Sequence, residues 1–472
     1  MVNYGQPSRD CFPCRKRKLR CDLRTGECSQ CHRAGLTCYG YRDISELCFR
    51  DETFTTAQKA LARHASTLRP TAAPQLTWDE LSRNVFLSLY VVKLSHSFDA
   101  LGPLLAKSPV NGHLHASVGA ASLAFMAFHH GDPSLMPLAN RRYLGAVQSL
   151  GLGLRNSQHS ASDEILQSVL LLDLYEKIAN RNAQQPASWM SHAQGALSVV
   201  KSRASNDFSS PITCQLANRV ATAVIISAGA AASLVPDTLG PLRKALGRYV
   251  RGPKWNFMNL MVGVVNLRAD MRSAASSLAG SADHLRRAKE LDTQLALVES
   301  NTSRSWRPRR VFAMTHEPLV FGHYYDIYPS HYATQVFNAI RMMRLEMCDI
   351  IRNLDAEEHS NIYSPVSQTI SEMTLRLCAA VPQFLLPGAR AENTVPLSPL
   401  QMLQCCTMLT PLYVSAQLTV DRHLRAWIMR CIAHMTDSGV KMSQDISYML
   451  NFTPEVDYWT VYTRAGSYAI AA

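Results

Sequence analysis

From Thr77 onward, apolar positions recur with the period of a helix rather than a strand. Thr77-Trp-Asp-Glu80 reads as a capping box, the threonine oxygen accepting from a first-turn amide while Glu80 reaches back. The apolar run Val85, Phe86, Leu89, Tyr90, Val92 and Leu94 then predicts a broad buried face. Ser160 to Ile178 repeats the design, with an acidic start and Ile165, Leu166, Val169, Leu170, Leu172 and Leu174 inside. Ser398-Pro399 marks another start, serine at the cap and proline in the first turn. Strand-like alternation is scarce, so residues 77–472 are expected to form one large all-α domain of about a dozen or more helices. Breaks are expected near Arg203 to Pro211, at Arg251-Gly-Pro-Lys254, from Thr302 to Arg310 and from Pro387 to Pro399.

The first forty residues follow another rule. After a polar arm, residues 1–10, the spacing Cys-x2-Cys-x6-Cys occurs twice: Cys11, Cys14, Cys21, then Cys28, Cys31, Cys38, offset by 17 residues. A helix entered at the second cysteine of each repeat would present two thiols on one side, with the third returning about two turns later. Six thiolates suit two Zn2+: two four-coordinate ions need eight bonds, so two sulfurs must be shared. Charge separates the repeats. Arg15, Lys16, Arg17, Lys18 and Arg20 all lie in the first, whereas the second carries only His32 and Arg33 between its ligands. Only the first helix is therefore equipped to meet phosphates and base edges. Six thiolates and two zinc ions sum to minus two, but residues 9–42 hold nine Lys or Arg against three Asp or Glu, so the local field still attracts a polyanion.

These six ligands, with the Cys-Arg-x-Arg-Lys-x-x-Cys-Asp run from Cys14 to Asp22, resemble the fungal zinc binuclear cluster (Zn2Cys6) transcription factors. The resemblance implies that Cys11 and Cys28 bridge the two zincs. It also implies that Lys18 reaches a CG-rich triplet in the major groove while Arg15, Arg17 and Arg20 mostly hold phosphates. One departure is Gly26, where many relatives have proline; glycine can turn the connection by taking positive φ. The stretch from Tyr39 to Glu52 resembles one subgroup of the same family, and residues 39–76 are read as a linker containing a short helix at 54–66 and the breaker zone Arg69-Pro-Thr-Ala-Ala-Pro-Gln.

Three segments of the helical region resemble the fungal-specific transcription factor domain that accompanies such clusters. They are Trp189-x2-His192-x2-Gly195-Ala196-Leu197 with Arg203, then Phe337-Asn338-x2-Arg341-x2-Arg344, then Pro411-Leu412-Tyr413 followed by Trp427-Ile428. Physically these are packing positions. Trp189, His192 and Leu197 share a helical face, His192 reads as a hydrogen-bonded core histidine, and Gly195-Ala196 would let a neighbouring helix approach.

Composition sharpens this picture at three points. Net charge is +12, of which the first module supplies half, so the nucleic-acid signal is local. Of 13 cysteines, the seven outside the repeats (Cys48, Cys214, Cys348, Cys378, Cys405, Cys406, Cys431) follow no motif and read as buried thiols of a reducing compartment. The run Val220 to Val235 is rich in Ala, Gly and Ser and short of the ~20 apolar residues of a membrane span, so no membrane partner is expected. The basic segment Arg304-Ser-Trp-Arg-Pro-Arg-Arg310 reads as a solvated loop. No HExxH, P-loop or nucleophile elbow supports an enzyme.

The sequence thus predicts a small Zn2Cys6 binuclear cluster module, residues 11–38, followed by a large all-α regulatory domain. The expected function is sequence-specific binding of double-stranded DNA in the nucleus by an RNA polymerase II-type transcription factor, for which the resemblance suggests a metabolic or biosynthetic gene cluster as target. No sustained heptads follow the cluster, so dimerisation or coactivator binding would fall to the helical domain. The rival reading is a ligand sensor or interaction scaffold in which the helical domain takes a small-molecule effector and the cluster is a weak DNA anchor.

Overall fold

The computed structural model describes residues 8–42, 77–155, 161–180, 186–203, 208–273, 278–355, 361, 363–453 and 457–466. Contacts divide the chain into two compact units, residues 1–75 and 76–472. The short helix expected at 54–66 and most of the 39–76 linker lie outside the described residues.

In the first unit two five-residue helices, α1 (Phe12–Lys16) and α2 (Ser29–Arg33), stand at corresponding places in the two cysteine repeats. Each helix is entered one cysteine earlier than the spacing suggested, with Cys11 and Cys28 as N-caps, and each ends before the third cysteine. The reason is distance. A helix continued from Cys14 to Cys21 would separate them by about 10.5 Å along its axis, too far for two thiolates on one ion. The chain instead leaves the helix through a turn at Arg17 and Lys18 and returns to Cys21 without regular structure.

The second unit is helical as predicted. Trp78–Val85 begins with the Thr77/Glu80 capping box, both halves formed, and Pro399–Leu418 begins with a second box built by Ser398 and Gln401. Asp163–Ala179 starts at Ser162, with Asp163 and Glu164 in its first turn. Phe86–Leu94 departs from expectation, because it is a π-helix. The wider turn brings Phe86, Tyr90, Val91 and Leu94 inside and rotates Val92, read as buried, out to solvent at 75% exposure.

Packing proceeds between chain neighbours and then closes on itself. His113–His130 lies against Met136–Arg155 and Asp163–Ala179, and Leu278–Ser300 lies between Pro253–Ser273 and His331–Leu354. Pro399–Leu418 is buried along most of its length among His331–Leu354, Arg422–Asp437 and Met442–Phe452, and also meets Phe86–Leu94 from the start of the unit. One apolar core runs through all of these elements.

The expected breaks each hold a feature. Arg304–Arg310 is exposed but not a free loop: its end enters β1 (Arg309–Phe312), which pairs antiparallel with β2 (Tyr324–Ile327), Arg310 standing opposite Asp326. Arg310 donates to Asp326 at 3.1 Å and lies over the Tyr324 ring, while Arg307 donates to the carbonyls of Ser300 and Thr302. Two of the segment's four arginines, Arg307 and Arg310, are thus engaged within the fold.

The three helical-domain segments are packing positions. Trp189, Ala193, Ala196 and Leu197 are buried, and His192 Nε2 is 2.9 Å from the Tyr143 hydroxyl, with Glu176 3.8 Å away. Gly195, read as a close-approach point, is exposed with nothing near its missing Cβ. The close approach occurs at Gly229, where a Cβ would enter the Trp459 ring. Arg341, in the second segment, is buried and donates to Glu299 at 2.8 Å and to the Tyr328 hydroxyl at 2.6 Å. Burial opposes its charge, but Tyr328 and Glu299 outweigh that effect and hold its pKa above the ordinary value. Arg344 pairs with Asp292 at 2.8 Å, and Tyr413 and Trp427 are fully enclosed.

Candidate metal centre and nucleic-acid interface

The core of the first unit is sulfur. Cys11, Cys14, Cys21, Cys28 and Cys31 are its buried residues, with Cys38 and Tyr41 packed against them. Two quartets of thiols converge, Cys11, Cys14, Cys21, Cys28 and Cys11, Cys28, Cys31, Cys38, each with its sulfurs within 4.8 Å of one another. Cys11 and Cys28 belong to both. The Sγ separations are 3.7 Å for Cys11–Cys28, 3.6 Å for Cys11–Cys31 and 3.6 Å for Cys14–Cys28. Disulfide sulfurs would lie about 2.05 Å apart. A tetrahedral zinc with bonds of about 2.3 Å has sulfur–sulfur edges of about 3.8 Å. The spacing therefore fits two tetrahedra sharing the Cys11–Cys28 edge, and the six cysteines form a zinc-binding arrangement.

The electrostatics agree. Burial and neighbouring sulfurs push the Cys14 and Cys31 thiols up, Cys31 to about 12, whereas Cys28, burial notwithstanding, is drawn down to about 6 by the Cys31 amide and the surrounding thiols. Six thiolates so close cannot all ionise without cations between them. Divalent zinc supplies that charge when bound.

The surrounding residues hold the frame. Asp22 accepts from the Ser29 amide at 3.1 Å and 3.3 Å, and this contact with Ser29 keeps its carboxyl below the usual range. The Cys28 thiol accepts from the Cys31 amide at the start of α2. Tyr41 donates to the Arg24 carbonyl, and the Arg42 amide donates to the Arg9 carbonyl, closing the module's ends. Gly26, in the connection between the repeats, takes φ +96°, so the turn exists and rests on glycine geometry.

Both helices end alike. The Lys18 amide donates to the Arg15 carbonyl and the Leu19 amide to the Cys14 carbonyl; seventeen residues on, Gly35 donates to His32 and Leu36 to Cys31. Each is a Schellman cap with its C′ residue left-handed, Lys18 at φ +55° and Gly35 at φ +61°. The second repeat uses the residue this geometry favours; the first does not. An L-residue there costs on the order of 1–2 kcal/mol.

Only Arg15 and Lys16 of the five predicted DNA contacts lie in α1. Arg17 is its C-cap, Lys18 the left-handed residue and Arg20 part of the return segment. Lys16, Arg17, Lys18 and Arg20 are exposed and Arg15 half-buried. Asp22 and Tyr41 were missed as framework groups. Asp22, next to a ligand and seven residues before the second helix, carried the only readable signal.

Residues 9–47 match the fungal Zn(2)-Cys(6) binuclear cluster domain. The chain is also 29% identical over 96 residues to an uncharacterized protein of Emericella nidulans, a match that spans 20% of either chain. No solved structure matches it. The first unit thus carries a Zn2Cys6 binuclear cluster domain, of the kind found in fungal DNA-binding transcription factors, and the described residues of the unit that follows are mostly helical.

Proposed function

We propose that the protein is a nuclear, sequence-specific DNA-binding transcription factor. Residues 11–38 dock in the major groove, with Cys11 and Cys28 bridging two zincs and Cys14, Cys21, Cys31 and Cys38 completing their shells. Lys18 reads a CG-rich triplet, and Arg15, Lys16, Arg17 and Arg20 hold phosphates. Residues 77–472 act as the regulatory domain. The observation that carries this reading is the pair Lys18 and Gly35. At equivalent caps, the basic repeat keeps a long cationic side chain where the backbone favours glycine, and strain retained at an exposed, charged position points to a ligand.

The test is Lys18→Gly in the zinc-loaded protein, with affinities measured against a panel of duplexes at several salt concentrations. Glycine removes the side chain and relieves the backbone, so zinc content and folding should be kept. Preference among triplets should flatten by about 1–3 kcal/mol. Arg20→Ala should instead weaken all sequences alike and make the salt slope shallower by about 1. If Lys18→Gly leaves the sequence preference intact, the assignment is wrong.

A further inference from the structure

A cleft in the helical unit gathers more cations than carboxylates among the described residues. Five helices meet around it: Asp163–Ala179, Pro211–Ala230, Pro253–Ser273, His331–Leu354 and Tyr458–Ala465. Its polar end is lined by Lys177, Arg219 and Lys254, with Gln335 and Tyr332 beside them. Lys177 is paired with Asp173 at 2.8 Å. Arg219 is 6% exposed and lies over the Phe98 ring at 4.5 Å, and its Nε and Nη1 have no hydrogen-bond partner among the described residues. A buried guanidinium with unmet donors is costly unless an acceptor meets it. Asp173, itself buried, acts on both Lys177 and Arg219, while Lys254 lies over the Tyr332 ring at 5.5 Å and has no carboxylate partner among the described residues.

The other end is different in kind. An adjoining cleft shares Ile226, Phe257, Ala339 and Tyr462 with the first and continues along Met261, Met342 and Trp459. Its one carboxylate, Glu346, is occupied by Arg268, which also holds Asp457. The cavity volumes are about 100 Å³ at the cationic end and about 60 Å³ at the apolar end, room for several waters or for a small organic molecule.

We propose that this cleft binds a small organic anion, a carboxylate with a short apolar body, its charged end at Arg219 and Lys254 and its body along Phe257 and Met261. A guanidinium suits a carboxylate, and a charge-assisted bond is stronger than its neutral counterpart. Burial beside Arg219 also lowers the Lys254 pKa to about 8, as expected of a cation held without a counter-ion. The site lies wholly within residues 76–472, so it stands or falls separately from DNA binding by the cluster.

The experiment is isothermal titration of the zinc-loaded full-length protein with sodium hexanoate, hexanamide and inorganic phosphate. Hexanoate should bind saturably at one site, with hexanamide and phosphate each at least roughly tenfold weaker. Arg219→Met, which keeps bulk but removes the charge, should weaken hexanoate roughly tenfold or more. Circular dichroism checks that this variant folds; if it does not, Lys254→Met takes its place, with the same direction of effect. The proposal is overturned if hexanoate shows no saturable binding, if hexanamide matches it, if phosphate matches it, or if the folded variants bind hexanoate as the parent does.

Discussion

The two units of this chain solve the folding problem by opposite means. In residues 9–42 the buried side chains are cysteines, while Phe12, Leu19, Leu23, Leu36 and Tyr39 are 37–78% exposed. A module this small cannot bury enough apolar surface to fold by that alone. In residues 76–472 one continuous core of Leu, Val, Ile, Phe and Trp runs through the helices, reinforced by buried pairs such as Arg341 with Glu299. The lesson is a division of labour. Where cysteine sulfurs form the core, most other side chains are left at the surface to face a partner; where apolar burial forms it, charges such as Arg341 and Arg344 are drawn inside and paired.

Removing zinc should break this comparison most visibly. Structural zinc contributes apparent free energies of about 10–16 kcal/mol in small domains. A strong chelator should therefore unfold residues 9–42 and leave the helical unit intact, with far-ultraviolet circular dichroism losing only a small part of its signal. Loss of most of the helix would show that the units are not independent.

The shared edge can be sharpened next. Cys28→Ala removes a sulfur common to both quartets, whereas Cys38→Ala removes one from a single quartet. Metal analysis should find both zincs lost from the first variant and one retained by the second. Equal losses would contradict the bridging assignment.

The helical unit has its own test. Arg341→Ala leaves Glu299 buried, and Arg376, which donates to the same oxygen at 3.2 Å, is part-exposed. Because Arg376 and Arg344, the latter 3.9 Å away, still face Glu299, the expected cost is about 1–3 kcal/mol, read as a lower melting temperature with zinc content unchanged. A fall in zinc content would mean that stability is shared between the units.

Much of this was legible in the sequence, for reasons specific to each part. Ligand spacing is a covalent constraint, so the six cysteines and the doubled repeat could be read directly, as could the caps at Thr77 and Ser398, whose partners lie three residues away. The helix boundaries in the cluster could not be placed, because spacing shows only that thiols share a face and not that two turns of helix would carry them apart. The π-helix at Phe86–Leu94 was hidden because its apolar run fits either helical period until packing chooses. Arg219 and Lys254 lie 35 residues apart on different helices; the readable trace was a single arginine ahead of the long apolar run from Val220. Gly195 was misread because a small residue signals close approach only when a neighbour is there.

The central claim is that a zinc-held module reads DNA sequence. Its most direct measurement is selection of binding sites from randomised duplexes by the full-length protein at physiological salt, with and without zinc. The account predicts enrichment of a CG-rich triplet by the zinc-loaded protein and loss of that enrichment when zinc is stripped. Absence of any enriched sequence, or the same enrichment without zinc, would contradict it.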